Sequence, residues 1–149
     1  MEIKEFRQRV KPGKKLLIDS KELDVLEVVK YAFDDGGYYI KCYLSDGYVI
    51  AEDSEMDVYI LVRQIHPDFQ EPFKKIIEYD EKRFKFLYFA HTTAEEVWGK
   101  GRAKKGSGEK FWDYMAEDGS YLSLGISDAS NERLDFYGRT FKPSDLEMK

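Results

Sequence analysis

Cysteine, histidine, tryptophan and proline are all scarce in this chain of 149 residues, and each shortage removes a class of explanation. The single cysteine, Cys42, cannot form an internal disulfide. Flanked by strand-forming residues, it reads as a small buried hydrophobe in a reducing compartment. His66 and His91 are isolated and Cys42 has no second cysteine, so no ligand cluster for zinc exists and no metal or other cofactor is expected. Long apolar runs are missing as well. The longest, residues 58–62, falls far short of the roughly 20 residues that cross a bilayer. Residues 1–15 lack the apolar core of a secretory signal. A cytoplasmic protein with no membrane partner is the resulting expectation.

Catalytic signatures are equally sparse. There is no Gly-x-Ser-x-Gly elbow and no His-Glu-x-x-His. Ser123, His91 and Asp113 can be drawn together on paper, but no spacing selects them. An enzyme for a small polar substrate survives only as a residual reading, one that needs a deep pocket with convergent carboxylates or a histidine. The frame Gly101-x-x-x-x-Gly106 matches a phosphate-binding loop, yet Ser107 stands where its lysine belongs. Asp53, Glu55 and Asp57 alternate along one strand face without the looped spacing of a calcium site. A net charge of −5, from 24 basic and 29 acidic residues, argues against wholesale binding to nucleic acid, which needs a cationic face to release counterions.

What the chain has in abundance is aromatic residues, with 11 Tyr and 10 Phe, whose flat rings pack well on pleated sheets. Residues 16–18 read as a first short strand and residues 23–33 as a long, mostly buried one. Asp34-Asp35-Gly36-Gly37 is a strong hairpin signal. Strands over residues 38–44 and 48–52 follow, joined through Ser45-Asp46-Gly47, with Ile40, Cys42 and Leu44 sharing a face. A further strand starts near Met56. Residues 69–79 fit either a short helix begun at Pro72 or a strand that pairs with residues 84–89, and the hairpin is preferred. Further strands are expected over residues 83–92, 95–99 and 133–137. Residues 111–125, FWDYMAEDGSYLSLG, spell a hairpin turned at Asp118-Gly119, with Leu122, Leu124 and Ile126 facing the core and Tyr121 and Ser123 the other way. A fainter copy lies at residues 41–53, where Tyr43, Asp46 and Gly47 stand for Tyr114, Asp118 and Gly119.

These elements predict a mainly β protein with little helix. Antiparallel meanders form two similar small barrel-like or sandwiched units, residues 1–66 and 83–149, joined by residues 67–82 and packed as one compact protein. The conspicuous loop is residues 100–110, rich in glycine and positive charge. Arg102, Lys104 and Lys105 there suit an anionic partner or ligand, and Trp98, Trp112 and Tyr114 beside them are of the kind that stacks on bases. The leading expectation is a non-catalytic interaction module for a protein or small anionic ligand. The alternative is single-stranded nucleic-acid binding through Trp98, Trp112 and the basic loop. Few prolines guard the strand edges, which leaves room for a homodimer.

Gly13, the Leu23-Asp24-Val25 strand, Tyr31, and Trp112-Asp113-Tyr114 followed by Gly119 and Tyr121-Leu122-Ser123 resemble a small bacterial family known only as a domain of unknown function. The resemblance covers most of the chain and implies a compact β protein of bacterial origin. It implies no activity, cofactor or catalytic residue. In the first unit, Lys41 occupies the position of the family's tryptophan.

Overall fold

The computed structural model describes residues 1–101 and 103–149. The chain is mainly β and antiparallel, as the alternation predicts, and its central sheet closes into a barrel of eight strands. In chain order the elements are α1 (Ile3–Arg9), β1 (Lys15–Ile18), β2 (Lys21–Phe33), β3 (Tyr38–Leu44), β4 (Tyr48–Asp53) and β5 (Val58–Ile65). They continue with β6 (Ile76–Tyr79), β7 (Lys82–Gly99), β8 (Gly108–Met115), β9 (Ser120–Ser127), β10 (Asp135–Phe141) and β11 (Leu146–Met148). The first meander supplies β2 to β5 and the second β7 to β10, so the two units are the two halves of one barrel.

Two seams join the halves. On one, β5 pairs with β10 from Tyr59↔Phe141 to Ile65↔Asp135. On the other, β2 pairs with β7 from Glu27↔Gly99 to Phe33↔Thr92. Strand β7 serves both neighbours by its length: residues 85–93 pair with β8, and residues 92–99 pair with β2. The two strands expected over residues 83–92 and 95–99 are therefore one. Its register shifts beside Lys30 and Tyr31, and such bulges bend a strand as a closing sheet requires. Gly138 matters at the first seam, because a Cβ there would run into the Leu61 carbonyl and Val62 of β5.

The alternation expected from the sequence holds, but the most apolar parity points outward. Ile40, Cys42 and Leu44 face away from the barrel axis and join a cluster with Phe6, Leu16, Ile18 and Leu23. Helix α1, β1 and β11 roof that cluster. Leu122 and Leu124 likewise lie outside, under Phe69, Phe73 and Ile77 of the segment before β7. These leucines face a core as expected, and that core lies beneath a flap rather than inside the barrel. The hairpin preferred for residues 69–79 is formed by β6 and the start of β7.

Helix α1 was not legible in the charged residues 1–15. It has seven residues and no side-chain cap, so it is too short to stand alone and is held by packing. Phe6, fully buried, meets the Tyr59 ring edge-on at 5.2 Å. The hairpin at Asp118-Gly119 forms as expected, with Gly119 at φ 87° and the Ser120 amide donating to Asp118 at 2.9 Å. Among the described residues, no helix is long and apolar enough to cross a membrane.

Phe6→Ala is expected to cost about 3–5 kcal/mol, the usual loss for a fully buried aromatic side chain. Urea denaturation of the two proteins measures it, and an unchanged midpoint would show that α1 contributes nothing to the fold.

Candidate ligand cavity within the barrel

Barrel closure turns the second parity of every strand toward the axis. Tyr39, Lys41 and Tyr43 come from β3, Asp113 from β8, and Tyr121 and Ser123 from β9. They do not fill the interior. A cavity of about 720 Å³ runs from buried Lys41, Asp113 and Tyr121 to exposed Asp34, Asp35 and Glu55 at the surface. Its apolar walls include Val49, Ile60, Val62, Phe111 and Phe136.

Lys41 and Asp113 anchor the polar groups inside. Lys41 Nζ lies 3.7 Å from Glu109 Oε1. It also faces the rings of Phe136, Tyr43 and Tyr31 at 4.7, 5.4 and 5.7 Å. Burial opposes its charge, but the Glu109 carboxylate and the two tyrosines outweigh that, and the lysine pKa is raised. Asp113 is the second. It accepts hydrogen bonds from Ser123 Oγ at 2.5 Å and from the Tyr121 hydroxyl. Burial pushes its pKa up to about 6 despite those bonds, a further one with Tyr88, and the charge of Lys41. Thr92, opposite Glu109 in the β7–β8 ladder and fully buried, leaves its hydroxyl without a partner.

At the mouth, His91 ties two loops. Its Nδ1 lies 2.9 Å from Asp34 in the β2–β3 turn, and its Nε2 lies 2.5 Å from Asp128 after β9. Hydrogen bonds to Asp128 and then Asp34 raise its pKa above the ordinary 6.5. Both ring nitrogens are thus engaged, and Ser123 meets Asp113 without His91, so the paper triad does not assemble. The deep pocket with carboxylates exists, but Glu109 faces Lys41 and Asp113 is held by hydroxyls. Asp53 does not share a strand face with Glu55 and Asp57, because its carboxylate caps the turn through the Glu55 and Met56 amides, each at 3.0 Å. Among the described residues no group of three or more His, Cys, Asp or Glu is placed to hold a metal ion.

The residues singled out from the sequence lie elsewhere. Arg102 falls outside the described residues. Lys104 and Lys105 are exposed beyond β7, where Lys105 reaches Glu96 at 3.6 Å. Trp98 is exposed on the outer face, whereas Trp112 packs there against Phe89 at 4.8 Å and Phe73 at 4.9 Å. Tyr114 is fully buried under the flap and donates its hydroxyl to the Lys74 carbonyl at 2.8 Å. Its counterpart in the fainter copy, Tyr43, faces the interior instead. None of the five described residues lines the cavity. The residues that do were visible as the polar, aromatic parity of each strand, which a sequence alone presents like a solvated face.

Two titrations follow. For Asp113 the folded pKa lies above the ordinary 3.8, so the folded state binds more protons between about pH 4 and 6 and stability falls as pH rises through that window. Relative to wild type, Asp113→Asn should therefore gain stability between pH 4 and pH 7, by roughly 3 kcal/mol at most. Denaturation at the two pH values checks it. His91 has the same sign in a higher pH window. Its stabilisation is full below 6.5 and is lost as pH rises through its elevated folded pKa. The melting temperature of wild type should exceed that of His91→Asn at pH 6 and converge toward it by pH 9.

In comparison with known protein families, with curated proteins and with solved structures, the chain matches none, so its action must be read from its own side chains.

Proposed function

We propose that this protein is a non-catalytic, cytoplasmic binding module whose ligand is a small molecule held inside the barrel. The observation that carries this is the cavity itself. An eight-stranded barrel is just wide enough to fill with side chains or to hold one small ligand. Here the space of about 720 Å³ lies within the range of roughly 300–1,000 Å³ for small-molecule sites. Its lining also has the composition of such sites, with apolar and aromatic walls and a few placed polar groups. A cavity that served only as packing would be filled, since interiors pack at crystal-like density. The buried Cys42, with no disulfide partner, accords with a reducing compartment.

The rival is a partner that reads Trp98, Lys104 and Lys105 from outside, and Trp98 is 45% exposed. A fragment library screened by amide NMR separates the two. Ligands should shift the amides of Lys41, Glu109, Asp113 and Tyr121. Ala51→Phe, which adds bulk at an inward position beside Lys41 and Ile60, should weaken binding by at least about tenfold, as overfilling a pocket does. Shifts confined to residues 98–110, or affinity untouched by Ala51→Phe, would overturn the barrel as the site.

A further inference from the structure

The charges around the cavity are unevenly paired, and the imbalance has a chemical meaning. Arg7 pairs with Glu52, Lys41 with Glu109, and His91 with Asp34 and Asp128. Among the described residues, no Lys, Arg or His is ion-paired with Asp35, Asp53, Glu55 or Asp113, all of which line the same space. Three of these stand at or near the surface. Asp113 is 4% exposed, deep in the interior, with hydroxyl donors against it and the charge of Lys41 acting on it without ion-pair contact.

Resting on the barrel reading above, we propose that the ligand is an organic cation, an amine on a flat aromatic body, with its ammonium against Asp113 and its ring among Tyr39, Tyr88, Phe111 and Phe136. Tyr39 and Tyr88 each meet Phe111 edge-on, at 6.2 and 6.0 Å, so the wall is built of rings set at steep angles. Ring faces attract cations. The interior already accommodates one ammonium in this way, since Lys41 sits over three rings and beside a carboxylate. An anion would have to pass the acidic mouth and displace Glu109 from Lys41. A neutral molecule would leave Asp113 with its neutral hydroxyl donors and the more distant charge of Lys41, whereas an ammonium gives it a charge-assisted hydrogen bond.

The groups facing Asp113 are Tyr88 from β7, Tyr121 and Ser123 from β9, Lys41 from β3 and, at longer range, Tyr39. Lys41 stays charged throughout the neutral range, so of these facing groups it is Asp113 that changes state there. Cation affinity should fall as pH is lowered from 7 to 5. His91 at the mouth also titrates, and repeating the series in His91→Gln removes its part.

The test compares molecules that share a ring and differ in one group: tyramine with 2-(4-hydroxyphenyl)ethanol and 4-hydroxyphenylacetate, and tryptamine with its alcohol and acid counterparts. Calorimetry and amide NMR read the affinity. The amines should bind at least about tenfold more tightly than the alcohols, with the acids weakest. Asp113→Asn, with its fold checked by circular dichroism, should reduce the amines to the alcohols' affinity. If that variant does not fold, the wild-type pH series takes its place, with amine binding falling below pH 6 and alcohol binding constant. Interior amide shifts from an alcohol or acid that equals the amine keep the barrel as the site and overturn the cation. No interior shift with any of these compounds overturns the cation as well, and the fragment library then decides the barrel independently.

Discussion

Closure of the sheet along β2–β7 and β5–β10 is the constraint on which everything else depends. An open sheet built from these strands would have one face for a core and one for water. Once the eighth strand meets the first, the second face encloses a volume of its own, and side chains that look solvated along the strand become an interior. The same closure removes the edges of the central sheet, and among the described residues the short strands β6 and β11 are left unpaired on one side.

The polarity of the two faces follows from what covers them. Many of the leucines and isoleucines point outward because α1, β1 and β11 roof one side and the segment from Phe69 to β6 roofs another. That arrangement moves most of the apolar burial outside the barrel and frees the axis for tyrosines and charged groups. A polar interior is costly where groups lack partners. Here Lys41 has Glu109 and three rings, and Asp113 has hydroxyl donors, which offsets much of that cost. The hydroxyl of buried Thr92 is left without a hydrogen-bond partner among the described residues.

Much of the fold could be read directly. Period-two alternation located nearly every strand, and Gly36-Gly37 and Asp118-Gly119 located their turns, because glycine supplies backbone conformations that other residues adopt at a cost. An arrangement of antiparallel meanders was also legible, since hairpins are local. Helix α1 escaped because Ile3 and Phe6 are its only buried residues, and two apolar positions among charges make no periodic signal. The site escaped for a different reason. Trp98, Trp112 and the basic loop stand out in the sequence as large aromatics and cations, whereas Lys41, Asp113 and Ser123 fall on the polar parity of their strands. An alternating pattern states that two faces differ; it does not state which of them water reaches.

By itself the sequence determined the local matters: where the chain extends, where it turns, which residues share a face, and that no disulfide could staple it. Those depend on neighbours within a few residues. Only the tertiary structure decided that the faces would be inverted, that Lys41 and Glu109 would meet across 68 positions of chain, and that Asp113 would be sealed among tyrosines. Such pairings arise from the stagger of strands around a closed barrel, a property of all eight together that no single stretch of chain encodes.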